Sequence, residues 1–243
     1  MKIGVYVDGY NLYYGGRGIC GRGTPGWRWM DIRSMMHQVV STHSNWQGPF
    51  DLRVVYCTAR IKGRGNSSGQ RDQDVYLRAL KTHGAVDVIE YGTYVERIAY
   101  SPLAIPDKGR RPILAQADWP VVIKDSKGSD VPGATFMASV SRREEKGSDV
   151  NVATHLLIDV LEKNIDAAVV VSNDSDLKKP IEVSRTHVPV GLVNPTKSYP
   201  AGALNGSPTV GVGEHWWYQL TPADFTSAQM PSPVKHLVKP PGW

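Results

Sequence analysis

The sequence predicts an α/β fold with a largely parallel central sheet. Short apolar runs alternate along the chain with segments of helical periodicity. The central runs are apolar throughout rather than every second residue, as strands covered on both faces require. At 243 residues, 41% hydrophobic and 21% charged, the chain suits one large domain with an elaborated insert.

Lys2–Val7 is a compact apolar run that ends at Asp8 and reads as a buried strand. The stretch GGRGICGRGTPG, Gly15 to Gly26, reads as a glycine-rich loop. Ile32, Met35, Met36, Val39 and Val40 then recur at helical spacing, predicting a helix over 31–40. Asp51–Thr58 is a second strand. Arg71–Thr82 is a second helix with Val75, Leu77 and Leu80 among its apolar residues and Gly84 as its stop. Val86–Tyr94 is again strand-like. From Ile98 to Arg143 the pattern loosens around several prolines, which suggests a β-hairpin or extended arm. Ser148 can cap a helix whose core face is Ala153, Leu156, Leu157, Val160 and Leu161. A strand at Ala167–Ser172, a helix through Val183 and a strand at Val188–Val193 follow. Trp216, Trp217 and Tyr218 fit a last strand packed on the sheet. The expected organisation is a domain over 1–225, an insert at about 98–143, and a loosely packed Pro-rich tail at 226–243.

Two cysteines, Cys20 and Cys57, argue against a disulfide framework and a Cys-rich zinc site, and the histidines are scattered. No apolar run approaches the roughly 18–20 residues that span a bilayer, and the N-terminus is not a signal peptide. A cytoplasmic setting without membrane attachment is therefore expected. The formal charge of +5 permits a polyanionic partner. The glycine-rich stretch lacks the Lys-Ser/Thr of a Walker loop, which excludes nucleoside triphosphate binding there. No G-x-S-x-G is present and neither cysteine has a histidine near it in sequence, so catalysis by a Ser or Cys nucleophile has no support.

The chemistry concentrates in carboxylates. GVYVD ends at Asp8, and VVVSNDSDL carries Asp174 and Asp176 just past an apolar run. Ligands of open α/β sheets bind beyond the carboxyl ends of the strands. If the two strands are adjacent and parallel, three carboxylates meet there, and Asp149 adds a fourth from the helix feeding the second strand. Each could singly be a helix cap or a turn residue. Together they suit a hard cation, Mg²⁺ or Mn²⁺, able to activate water at a phosphodiester.

V-D-G-Y-N (Val7–Asn11), E-K-G-S-D-V-N-V-A (Glu145–Ala153) and V-S-N-D-S-D-L (Val171–Leu177) resemble, in order and spacing, the motifs of NYN domains, the LabA-like branch of the PIN-like nuclease superfamily. The resemblance covers roughly residues 2–220 and implies a Rossmann-like, PIN-like three-layer sandwich with a metal-dependent ribonuclease centre. Carried over, Asp8, Asp149, Asp174 and Asp176 would hold the metal and perform catalysis. Asn11 would brace the first aspartate or touch substrate, beside Ser172. Asn173 departs from the glycine of many relatives.

Lys146, close to Asp149, is placed to counter the cluster's charge or hold a phosphate. Arg17 and Arg22 in the glycine-rich stretch could meet an RNA backbone. Lys124, Lys127, Arg142 and Arg143, with Trp119 and Phe136, form a cationic and aromatic mixture in or beside the insert, of the kind single-stranded nucleic acid uses. His155 reads as an ordinary helix histidine. The expected function is an endoribonuclease dependent on Mg²⁺ or Mn²⁺. The alternative is a non-catalytic RNA-binding regulator, and an aspartyl-phosphate phosphatase is weaker for want of a second Asp after Asp8. RNA is the expected partner, and oligomeric state is open, a homodimer included.

Overall fold

Lys2–Asp8 forms strand β1, and every residue after Lys2 is buried. Its side chains serve two cores, one on each face of the sheet, so an unbroken apolar run is what this position demands. In chain order there follow α1 (Gly9–Cys20), α2 (Ile32–His43), β2 (Asp51–Ala59), α3 (Ser67–His83), β3 (Val88–Pro102), β4 (Ala104–Pro106), β5 (Pro112–Leu114) and β6 (Met137–Lys146). Then come α4 (Ser148–Leu161), β7 (Ala167–Val171), α5 (Lys178–Arg185), β8 (Val190–Asn194), β9 (Trp216–Gln219) and α6 (Pro222–Ser227). This computed structural model describes all residues except 62–65, 110 and 116–121, and all but the side chain of residue 143.

The chain divides into two units, 1–94 with 145–243, and 95–144. In the first, β3, β2, β1, β7, β8 and β9 are parallel neighbours in that order. The α/β expectation with a mostly parallel sheet therefore holds. Ile3, Val5 and Val7 pack with Leu12 of α1, Met36 of α2, Leu80 of α3 and Phe225 of α6. Tyr6 packs on the other face with Val152 and Leu156 of α4 and Ile181 of α5. In the second unit, β4 and β5 form an antiparallel hairpin that pairs Ala104 with Leu114. Arg97 and Arg142 both reach Glu144 there, at 3.2 and 2.6 Å.

Three local features depart from the sequence reading. First, the residues up to Cys20 of the supposed glycine-rich loop are the second half of α1. The Asp8 carboxylate caps this helix by accepting the Asn11 N–H at 3.0 Å. Gly15 and Gly16 are its contact face: a Cβ on Gly15 would run into the Pro195 carbonyl, and one on Gly16 into Phe225 and Trp27. Composition favoured a loop, whereas close packing selected glycine within a helix.

Second, α4 buries Val152, Leu156, Asp159 and Val160, while Leu161 is exposed. The face is turned because Asp159 is pulled inward, accepting the Tyr6 hydroxyl at 2.8 Å and pairing with Arg53 at 2.5 Å. Ser148 is the first helical residue rather than the cap, which is Gly147 in the left-handed region at φ 95°. Third, the chain after Thr221 is packed rather than loose. Phe225, Met230, Val234 and Leu237 are buried, and the Trp29 indole donates to the Pro231 carbonyl at 3.0 Å.

Two glycines of α1 should respond oppositely to alanine. Gly15→Ala meets backbone and is expected to destabilise by about 1–3 kcal/mol. Gly18→Ala meets nothing within 4 Å and should stabilise by about 0.5–1 kcal/mol. Urea unfolding of both variants checks the pair.

Candidate functional site

The strand order reverses between β1 and β7, and the polar residues that end these strands are knitted together. Ser172, buried just past β7, donates its hydroxyl to Asp8 at 3.1 Å and accepts the Asp174 N–H at 3.1 Å. Asn11 accepts the Asn173 N–H at 3.1 Å. Asp8 is 4% exposed. Burial pushes its pKa up, the hydrogen bonds from Asn11 and Ser172 partly oppose this, and the charges of Asp174 and Glu145 raise it further, to about 6.

The four aspartates do not converge as a ligand set. Among the described residues, no group of three or more His, Cys, Asp or Glu is arranged to hold a metal ion. Asp174 is engaged as the cap of a short turn, accepting the Asp176 N–H at 3.0 Å, and Asp176 itself is exposed. Asp149 lies in the first turn of α4. Glu145, which the sequence reading left out of the cluster, is with Asp174 one of the two carboxylates whose charge bears on Asp8. Lys146 ends β6 and is exposed. Arg142 pairs with Glu144 in the second unit, and Lys124 with Asp130 at 2.5 Å. The Arg143 side chain and Trp119 lie outside the described residues. His155 meets Glu90 at 3.3 Å.

Beside Asp8, a cavity of about 420 Å³ opens at the carboxyl ends of β1 and β2. Tyr10, Tyr13, Tyr14 and Arg17 line it from one face of α1, at i, i+3, i+4 and i+7. The Tyr10 and Tyr14 ring centroids are 4.5 Å apart, and Tyr13 meets Tyr14 edge-on at 5.2 Å. Tyr56, Tyr76 and Trp243 supply further aromatic lining, and Arg22 and Arg28 join Arg17 as cations. Arg28 lies over the Trp27 ring at 4.9 Å and donates to the Arg22 and Gly242 carbonyls. Of the expected substrate contacts, Arg17 and Arg22 thus line the cavity, and Asn11 and Ser172 hold Asp8.

Asp8 is electrically part of this cavity. Gly9 stands so close to Tyr56 that a Cβ would lie 2.6 Å from its ring. Burial, then the Asp8 charge, raises the Tyr56 pKa well above the usual phenol value. Tyr10 is raised by burial, by Tyr14 and by the charges of Glu145 and Asp8. The tyrosine face was present in the sequence as Y-N-L-Y-Y-G-G-R, but the loop reading of the glycines hid its helical spacing. Cys57 is buried, its thiol pushed up to about 12 by burial and by the charges of Glu90 and Asp8, so it is no nucleophile.

The β1–α1 junction does not fit the pyrophosphate of a dinucleotide. Such anions sit on free backbone N–H groups at a glycine-rich helix start. Here the turn reads Asp8-Gly9-Tyr10-Asn11, and the Asp8 carboxylate already occupies the N-cap.

No family model matches the chain. A curated relative, 6-hydroxy-3-succinoylpyridine 3-monooxygenase HspA of Pseudomonas putida, is 26% identical over 266 residues, covering 100% of this chain and 75% of that protein. A crystal structure of a Vibrio parahaemolyticus protein of unknown function aligns with a TM-score of 0.43 at 15% identity, over 90% of this chain and 92% of that one. The monooxygenase relative overturns the hydrolase reading, and with it the endoribonuclease activity and the Mg²⁺ or Mn²⁺ cofactor. Among the described residues, no helix is long and apolar enough to cross a membrane.

The raised pKa of Asp8 has a consequence for stability. The folded state holds this proton more tightly than the unfolded chain, whose value is near 3.8. The associated stability is complete below that value and is lost as pH rises through about 6. Relative to wild type, Asp8→Asn should gain on the order of 3 kcal/mol between pH 3.5 and pH 8. Paired urea unfolding curves across this range, with a carboxyl NMR titration of Asp8, check the window.

Proposed function

We propose that this chain is an oxidoreductase that oxygenates a small aromatic acid bound in the tyrosine and arginine cavity, with Asp8 as the proton acceptor. The observation that carries this reading is the cavity itself: three tyrosines on one helical face, three arginines around them, and a carboxyl of pKa about 6 beside them. The name of the curated relative supports it, because a hydroxypyridine with a succinoyl chain is a flat ring with an anionic tail. Tyrosine faces suit the ring, and guanidinium groups suit the carboxylate.

In this reading Tyr10, Tyr13 and Tyr14 hold the ring, and Arg17 and Arg22 hold its carboxylate. Arg28 fixes the Arg22 backbone through its hydrogen bond to that carbonyl. Loss of a proton from a ring hydroxyl raises the ring's electron density and its reactivity toward electrophilic oxygen. Asp8 receives that proton, and its pKa suits a base working near neutral pH. Where the oxygenated ring carbon bears hydrogen, the overall change converts C–H, O₂, two electrons and two protons into C–OH and water. The electrons come from an external two-electron donor such as a reduced nicotinamide or flavin. The β1–α1 turn offers no cradle for a dinucleotide donor, and no step is assigned to one there.

The scaffold under the site is, on our reading, the Rossmann-like and PIN-like sandwich of NYN domains. Its support is the position of the three motifs, at the end of β1, the start of α4 and the end of β7.

The reading is tested by oxygen uptake and product mass with 6-hydroxy-3-succinoylpyridine and related hydroxylated aromatic acids, under ¹⁸O₂, with reduced nicotinamide or flavin as donor. One ¹⁸O atom per product is expected. Asp8→Asn should lower kcat by about 100-fold or more with KM little changed. Arg17→Ala should raise KM with kcat largely retained. In wild type, kcat should rise with pH through about 6 as Asp8 ionises. Oxygen uptake no faster than donor autoxidation across the substrate panel would sink the proposal.

A further inference from the structure

Away from Asp8, a second cavity of about 440 Å³ is built around Arg185, the last residue of α5. Arg185 is 7% exposed. Its Nη2 donates to the Leu204 carbonyl at 3.2 Å, while its Nε is buried with no acceptor among the described residues. The carboxylate whose field reaches it is Glu182, which is shared with Lys178 and Lys179 at 3.8 Å each. A buried guanidinium without a close counter-ion costs several kcal/mol unless something else neutralises it.

The surroundings are suited to an anion. Among the described residues, no Asp or Glu lines this cavity. The Trp216 ring packs away from it, on the other face of the sheet against Trp46 at 5.5 Å. His215 is committed elsewhere: its Nδ1 accepts the Val190 N–H at 2.9 Å, so Nε2 carries the proton and faces the Val210 carbonyl at 2.7 Å. Burial lowers its pKa, keeping it neutral and structural. The backbone is shaped to the guanidinium, since a Cβ on Gly206 would collide with Nη1.

The rim is aromatic and open. Tyr199 is 89% exposed and Trp217 is 61% exposed, large apolar groups left to solvent on either part of the lining. One buried cation with aromatic and apolar walls selects a monoanion carrying a flat apolar body.

We infer that the Arg185 cleft is a binding site for an aromatic carboxylate, separate from the cavity beside Asp8. The carboxylate takes the Arg185 guanidinium where it lines the cavity, and the ring lies against the exposed Tyr199 and Trp217 side chains. A phosphate monoester, with up to two negative charges, would be only half neutralised by this single arginine. This inference does not depend on the oxygenase reading.

The test is calorimetric titration of the full-length protein with 2-naphthoate, its methyl ester, 2-naphthyl phosphate and inorganic phosphate. The Arg17→Ala background weakens the first cavity, and the Arg185→Gln and Trp217→Ala changes made in it report on the second. In that background 2-naphthoate should bind with one equivalent and raise the melting temperature. Arg185→Gln should weaken binding at least 10-fold and abolish the ligand-dependent shift. Trp217→Ala, a change at an exposed side chain, should weaken binding several-fold while leaving the ligand-free melting temperature unchanged, so it reports even if Arg185→Gln folds poorly. The methyl ester and inorganic phosphate should bind at least 10-fold more weakly than 2-naphthoate. No binding to the Arg17→Ala protein, equal binding of the ester, tighter binding of 2-naphthyl phosphate, or no effect of Trp217→Ala would each overturn the inference.

Discussion

The hydrogen bond from the Ser172 hydroxyl to the Asp8 carboxylate joins the two strands between which the sheet changes direction. Much of the first unit's functional end depends on it. The same carboxylate caps α1 through Asn11, and the same hydroxyl accepts the Asp174 N–H and so sets the turn after β7. Asn11 closes the loop by accepting the Asn173 N–H, and the Asn173 side chain in turn holds the segment at Tyr199 and Ala201. One buried acid therefore fixes the start of a helix, the end of a strand and the base of a loop. That role explains why Asp8 can remain in a place where burial opposes its charge: its hydrogen bonds offset part of the desolvation penalty.

Much of the fold was legible in the sequence because periodicity and burial agree there. The apolar runs at Lys2–Val7 and Ala167–Val171 became central strands, and the Ile32, Met35, Met36, Val39, Val40 pattern became the buried face of α2. Gly84 ends α3 in the left-handed conformation that glycine permits. The failures share a physical cause, which is that tertiary contacts overrode local preference. Gly15 and Gly16 are helical because Pro195 and Phe225 press against them. Asp159 is inside because Tyr6 and Arg53 reach it from the sheet, a contact between residues more than 100 positions apart. The tail is ordered because Trp29 and Tyr76 receive it, at the Pro231 carbonyl and the Trp243 ring.

The site was legible only as a location. At the carboxyl ends of β1 and β7, Asp8, Asn11 and Ser172 do meet. What the pattern could not convey is how each carboxylate is used. Asp174 caps a turn, and Asp8 caps a helix while accepting the Ser172 hydroxyl. Spacing along a chain records which residues approach one strand end, not which atoms face each other. The tyrosines went unread for the opposite reason: aromatics at i, i+3 and i+4 are informative only once the segment is known to be helical.

That α1 presents Tyr10, Tyr13, Tyr14 and Arg17 in fewer than three turns has an evolutionary corollary. Three aromatic side chains of the wall and one of its cations are encoded by a stretch of eight codons. The glycines that seat the helix point toward Pro195 and Phe225, away from those side chains. Cavity lining and helix placement are thus written on opposite faces of one short segment. A lineage could exchange one set of ring contacts for another by a few substitutions in that stretch while the sheet, its reversal point and the packed tail stay as they are.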